Sequence, residues 1–249
     1  MKTILITGAG SGIGEQTALS LAEKGVQLIL CGRRADRLAD CAAACSARGA
    51  DVRVVAVDVR DRTAMCEALS AFPHISGIVA SSGICARTEL HRDDSDATFD
   101  DVMLTNVQGV WNTFRAVHDR LEDGARCVVV SSGLGKLARP GYAAYTASKH
   151  AVLGIMKCLA LELAPRGIRV NAVCPGWVDT EMAMADLDYS AAEHGTTRAV
   201  EFASAVAAIP MKRFVKPGEV AQLIVWLMSD ASAAITAQSW NISCGEFFV

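Results

Sequence analysis

Apolar runs recur along the chain, each a few residues long and followed by a longer segment of mixed polarity. "TILIT" (3–7), "QLILC" (27–31), "VRVVAV" (52–57), "GIVA" (77–80), "RCVVVS" (126–131) and "IRVNAVC" (168–174) read as strands. Most are too uniformly apolar for a sheet with one wet face, so they suit parallel strands covered on both sides. The stretches between them, 12–24, 35–48, 61–71, 98–121 and 146–164, carry helical periodicity. Alternating strands and helices predict an α/β, doubly wound parallel sheet in a single domain spanning 1–249. Residues 181–210 break the rhythm with two helix-like pieces around His194-Gly195. An insertion beyond a strand's carboxyl end is where such folds place substrate contacts.

Composition narrows the classes. At 249 residues and 51% hydrophobic, the chain can bury a large core as one unit. Net charge is −3, with acids and bases interspersed, which argues against nucleic acid as a partner. The nine cysteines are scattered, and the five histidines form no paired ligand motif, so no metal is expected. A reduced, cytoplasmic thiol set fits that pattern better than a disulfide framework. "MKTILITGAGSGIG" has too short an apolar run for a signal peptide, and no later stretch suits a membrane span.

The chemistry begins at "TGAGSGIG" (7–14), between the first strand and the first helix. Glycines let the backbone turn sharply beside a pyrophosphate, and the helix start offers free N–H groups. The spacing is T-G-x-x-x-G-x-G, on Gly8, Gly12 and Gly14, rather than G-x-G-x-x-G. The second strand then runs into Gly32-Arg33-Arg34. A fold preferring NAD would put a carboxylate near this point, to accept from the ribose 2′-hydroxyl. An arginine instead pairs with a 2′-phosphate, so NADP(H) is the expected cofactor.

"YTASK" (145–149) sets Tyr145 and Lys149 on one helix face. A free phenol titrates near 10, and a nearby ammonium favours the phenolate, so the pairing is expected to bring the phenol toward a working range. Alone, that spacing is common on surface helices; after a glycine loop it reads as an acid–base pair.

Together, "TGAGSGIG", Asp58-Val59, "TNVQGVW" (105–111), "SSG" (131–133), "YTASK" and "NAVCPGWVDT" (171–180) resemble the short-chain dehydrogenase/reductase family over essentially the whole chain. The resemblance implies a Rossmann sheet of about seven strands and an enzyme interconverting a ketone and a secondary alcohol. It implies Tyr145 as general acid, Ser132 as the hydroxyl on the carbonyl oxygen, and Lys149 on the nicotinamide ribose. Asn106 would hold a relay water. The cofactor would lie on Gly8, Ser11, Gly12, Ile13, Gly14, Arg33, Arg34, Ser81 and Gly83. Asp58 and Val59 would sit at its adenine end, and Pro175, Gly176, Val178 and Thr180 at its nicotinamide end. Ser132, Leu134, Trp177 and Met182 would face the substrate.

One segment departs from the family pattern. "ASSG" (80–83) stands where the family carries Asn-Asn-Ala-Gly, which puts cofactor affinity in question. The departure keeps a second class in view, a cofactor-binding regulatory protein with little turnover, although the intact Asn106/Ser132/Tyr145/Lys149 set argues against it. The C-terminal third is similar to β-ketoacyl and polyketide ketoreductases, so a β-ketoacyl thioester or polyketide-like ketone leads. Secondary alcohol, polyol or hydroxysteroid dehydrogenation follows. The turn just before the fifth strand is read as "LEDGAR" (121–126), which puts Glu122 and Asp123 where docking an acidic carrier protein wants bases, while Arg166 and Arg169 remain available nearby. Spare apolar residues on the helices at 98–121 and 146–164 suggest a homotetramer, or a dimer. The final "GEFFV" is expected at a subunit contact.

Overall fold

A computed structural model describes residues 1–249. Seven parallel strands form one sheet in the order β3-β2-β1-β4-β5-β6-β7. They are β1 (Lys2–Thr7), β2 (Val26–Gly32), β3 (Asp51–Ala56), β4 (Ile75–Ala80), β5 (Leu121–Val130), β6 (Arg169–Pro175) and β7 (Ser239–Ile242). Alternate residues of each apolar run feed opposite faces. Ile29 and Cys31 join one core with Cys127, Val129, Val170 and Ala172, and Leu28 and Leu30 join the other with Val128, Val130 and Val173. A strand with two buried faces has no polar side to show, hence the uniform runs. The last strand, β7, is short and only half-buried, which is why no apolar run announces it.

Helices α1 (Gly12–Leu21), α2 (Ala35–Ser46) and α9 (Pro217–Leu227) cover one face. The other is covered by α3 (Arg62–Leu69), α5 (Gly109–Arg115) and α6 (Ala143–Leu163), with α4 (Ser95–Met103) packed beside α6. The inserted segment folds as α7 (Glu181–His194) and α8 (Arg198–Ala208), with Gly195 in a left-handed cap between them. Its small core of Ala183, Leu187, Ile209 and Phe214 packs with Trp177.

Two expectations need correction. The helix expected over 98–121 is interrupted: a π-turn at Leu104–Gln108 separates α4 from α5, and the chain leaves the helix after Arg115. The inserted residue of a π-turn redirects side chains, and here the turn carries Asn106 fully into the interior. The "LEDGAR" segment lies within the span of β5 as an irregularity, where the register with β4 jumps from Ile75↔Leu121 to Gly77↔Arg126.

Candidate active site

All the strands point their carboxyl ends at one cleft of about 530 Å³, and the crossover between β1 and β4 opens its centre. Gly8 leaves β1 at φ +70, and a Cβ there would lie 2.8 Å from the Ser82 N. Gly14 is closer still: its Cβ would stand 2.2 Å from the Gly8 carbonyl oxygen, so strand and helix backbones touch. Ser11 precedes α1 without capping it, its hydroxyl instead accepting from Arg34 Nη2 at 2.8 Å. The first N–H groups of α1 therefore face the cleft without a side-chain partner, a setting for phosphate.

The far end carries Arg33, Arg34, Asp58 and Val59 on its wall, Ser81 lines the middle against Gly8, and Gly83 lies toward the opposite end, where a Cβ on it would stand 3.3 Å from the Lys149 Nζ. Burial opposes the charge of Asp58, but hydrogen bonds from Arg60 hold its carboxyl below the usual range. Thr105 also lines the cleft, and its buried hydroxyl has no partner within the protein. A cradle that a Cβ would fill and an orphaned hydroxyl both fit a dinucleotide lying here. In the "ASSG" segment, the Ser81 and Ser82 N–H groups bond to the carbonyl and hydroxyl of Thr7. That loop is therefore held from β1, without the family's asparagine amides.

At the other end stand Ser132, Tyr145 and Lys149. Ser132 follows β5 and caps a short turn, its Oγ accepting from the Leu134 N at 3.2 Å. Its own proton lies toward the Tyr145 phenol. Tyr145 and Lys149 come from the first two turns of α6, and the Lys149 Nζ lies 5.5 Å from the phenol ring centroid. That ammonium donates to the Val130 carbonyl at 3.0 Å. Burial pushes the Tyr145 phenol up, with Cys85 adding to the rise and Ser132 opposing it. Burial also pulls Lys149 down to about 8. The expectation of a phenol brought toward the working range is thus corrected: burial outweighs what the lysine does to it. Desolvation acts on both groups and weakens the ammonium that was to do the lowering.

Asn106 lies behind this wall rather than on it. Its Oδ1 accepts from the Ile84 N at 2.8 Å, while its Nδ2 donates to the Ile84 carbonyl at 2.9 Å and to the Ser148 Oγ at 3.0 Å. Both amide protons are taken, so the side chain works as a clamp. Gly14, on the inner side of α1, is the other anticipated residue not on the cleft wall. Ile13, Gly12, Pro175, Gly176, Val178 and Thr180 line it, as do Leu134, Trp177 and Met182 toward the substrate end.

The structure adds residues that no local motif announces. Cys85, Arg139, Tyr142, Asp186, Glu246 and Phe247 complete the substrate end. Asp186 accepts from Tyr142 OH at 2.5 Å and from Arg87 Nε at 3.1 Å, and Arg87 also reaches the Ser190 Oγ at 2.7 Å. Arg87 stacks 4.2 Å over the Tyr142 ring. This cluster ties α7 to the body of the domain, yet its members are scattered from residue 87 to 190. Only the repeated presence of charge in otherwise apolar segments could have hinted at it.

Two further expectations change. Arg166 and Arg169 are not free: Arg166 pairs with Asp123 at 2.8 Å, and Arg169 donates to the carbonyls of Leu227, Ser229 and Ile235. In the tail, Phe247 is buried in its own chain against Gly133, whose Cβ would lie 2.4 Å from the ring. Glu246 accepts from the Trp177 N at 3.2 Å. Only Phe248 and Val249 point out, 94% and 57% exposed.

A family model described as enoyl-(acyl carrier protein) reductase matches residues 8–246. A Streptomyces virginiae protein named as a monensin polyketide synthase ketoacyl reductase is 37% identical, covering 98% of this chain and 96% of its own. An actinorhodin polyketide ketoreductase variant solved with NADPH superposes with TM-score 0.89 at 31% identity, covering 98% and 97% of the two chains. An NAD⁺-bound xylitol dehydrogenase gives the same TM-score at 27% identity, covering 97% of each. With a serine, a tyrosine and a lysine gathered at the end of a glycine-cradled cleft, and with likeness along nearly the whole length, the chain belongs to the short-chain dehydrogenase/reductase family of oxidoreductases acting on ketone and alcohol groups.

Proposed function

We propose that the protein is an NADP(H)-dependent ketoreductase in which Tyr145 donates the proton. The observation that carries the reading is the convergence of Ser132, Tyr145 and Lys149 at one end of a cleft whose other end holds Arg33 and Arg34. When bound, the nicotinamide would supply the hydride. Ser132, whose acceptor side is occupied by Leu134, turns its proton to the substrate carbonyl oxygen and stabilises the negative charge developing there. Tyr145 then gives its proton to that oxygen. The burial that raises the phenol keeps it protonated at neutral pH, which suits reduction rather than oxidation. Lys149 steadies the phenolate left behind. Asn106 fixes Ile84, and with it the wall beside Gly83, leaving any water contact to its second Oδ1 lone pair or its carbonyl.

A β-ketoacyl thioester or polyketide-like ketone is the leading substrate class. The engagement of Arg166 and Arg169 removes the bases that a carrier protein would meet, so a coenzyme A thioester or a free ketone is favoured over a carrier-bound one. A second reading, a hydroxylated substrate such as a polyol, is favoured by the likeness to the xylitol dehydrogenase. Purified protein tested on a panel of ketones, thioesters and polyols, with NADPH and NADH absorbance followed separately, decides between them. Turnover confined to polyols would remove the thioester reading, and no turnover on any member would favour the regulatory alternative.

The working form is proposed as a cytoplasmic homotetramer or dimer. Leu104 and Trp111 stand half-exposed along α4–α5, and Leu161 stands exposed on the neighbouring α6. Apolar surface of that kind is what an interface covers. No helix is long and apolar enough to cross a membrane.

A further inference from the structure

Glu181, the first residue of α7, belongs to the substrate-side insertion, yet its carboxylate is turned toward the cofactor end. It lies 3.1 Å from Arg37 Nη2 and 3.6 Å from Arg34 Nη1. The helix start that carries it sits on the phosphate loop: a Cβ on Gly12 would lie 3.2 Å from the Thr180 Cγ2. Arg34 is at the same time bonded to Ser11 of that loop. The two arginines of the β2 turn are therefore not equivalent. Near Arg33 the carboxylate is Asp58, 3.9 Å away and already engaged by Arg60 at 2.7 Å. Near Arg34 it is Glu181, whose only ionic partners are Arg34 and Arg37.

We infer that Glu181 is a specificity-determining residue for the cofactor: it occupies Arg34 and so holds down the preference for a 2′-phosphate. The inference rests on the reading that Arg33 and Arg34 receive that phosphate. A phosphate dianion arriving at Arg34 meets a carboxylate already there, and must displace or tolerate it. A ribose with a free 2′-hydroxyl brings no such charge. Discrimination by a repulsive group beside an attractive one is a common route to selectivity. All three side chains are about half exposed or more, so the effect is small and screened by salt.

The test measures binding rather than turnover. Calorimetric Kd values for 2′,5′-ADP and 5′-AMP, which differ only in the 2′-phosphate, give a selectivity ratio for the wild type and for Glu181→Gln. The ratio is expected to rise about two- to fivefold in the variant at about 0.05 M salt, and the gain to shrink at about 0.5 M. An unchanged ratio, or weaker 2′,5′-ADP binding in the variant, overturns the inference; the latter would mean that Glu181 positions Arg34 instead. The wild-type ratio separates the two claims. If it shows no preference for the 2′-phosphate, the NADP reading fails, and a preference appearing only in Glu181→Gln would still support the role of Glu181.

Discussion

Tyr145 and Lys149 are displaced from their ordinary titration ranges by one cause acting in opposite senses, since burial disfavours a phenolate and an ammonium alike. Tyr145→Phe keeps the ring and removes the transferable proton, so ketone turnover should fall at least about 100-fold while NADPH still binds. Near-normal rates in that variant would take Tyr145 out of the mechanism. Lys149 is charged below about 8 and neutral above. The charge that supports the phenolate formed as the proton leaves is therefore lost as pH rises, and kcat/KM for reduction should decline with an apparent pKa near 8. The same shift has a thermodynamic signature. Between about 8 and its ordinary 10.5 the folded lysine binds fewer protons than the unfolded one. Stability from this group therefore rises with pH across that window. Relative to Lys149→Met, wild-type Tm should gain ground from pH 8 to 10, and a gap independent of pH would contradict the depressed lysine. Arg33 is more than half exposed, so Arg33→Ala should weaken NADPH by about 1.5 kcal/mol, roughly tenfold, and leave NADH nearly unchanged. Equal weakening of both would make Arg33 structural.

At the scale of elements, the parts readable from the sequence are those whose logic is local. A strand with two buried faces writes itself as an unbroken apolar run, and Tyr145 and Lys149 are neighbours through helix geometry alone. Asn106 shows the limit. Its segment has ordinary helical periodicity, and the π-turn that rotates it inward makes sense only with Ile84 and Ser148 in place. The Arg87–Asp186–Tyr142 cluster is hidden for the same reason, because three elements far apart in sequence supply it. The clamp predicts its own energetics. Asn106→Ala leaves the Ile84 N–H and carbonyl without their partner, which should cost about 1–3 kcal/mol in denaturant titration and loosen the wall at Gly83. Wild-type stability in that variant would show that water replaces the amide without loss.

On the scale of the whole molecule, the last residues of the chain and the middle of the fold meet at the substrate cleft. The final residues read in sequence as sticky surface, three apolar side chains after a glutamate, which points to a neighbour subunit as their place. Their burial is divided instead. Phe247 fills the space above Gly133, next to Ser132, and Glu246 fastens the loop at Trp177 and pairs with Arg139 at 3.4 Å. The Val249 carbonyl accepts from Lys136 Nζ at 3.0 Å and from Asn241 Nδ2 at 2.8 Å, which fixes the strand end of β7 beneath it. Removing 247–249 therefore strips one wall of the substrate end within a single subunit and leaves Gly133 facing solvent. KM for the ketone should rise and Tm should drop. A buried aromatic truncated to nothing typically costs about 3–5 kcal/mol, enough to register clearly. Phe248, almost fully exposed here, is the residue left for a subunit contact. Phe248→Ser alone should thus spare KM and, if that contact exists, shift the mass measured by light scattering toward smaller species. Truncation with unchanged KM and Tm would refute the wall, and a Phe248→Ser protein of unchanged mass would leave any assembly to α4, α5 and α6.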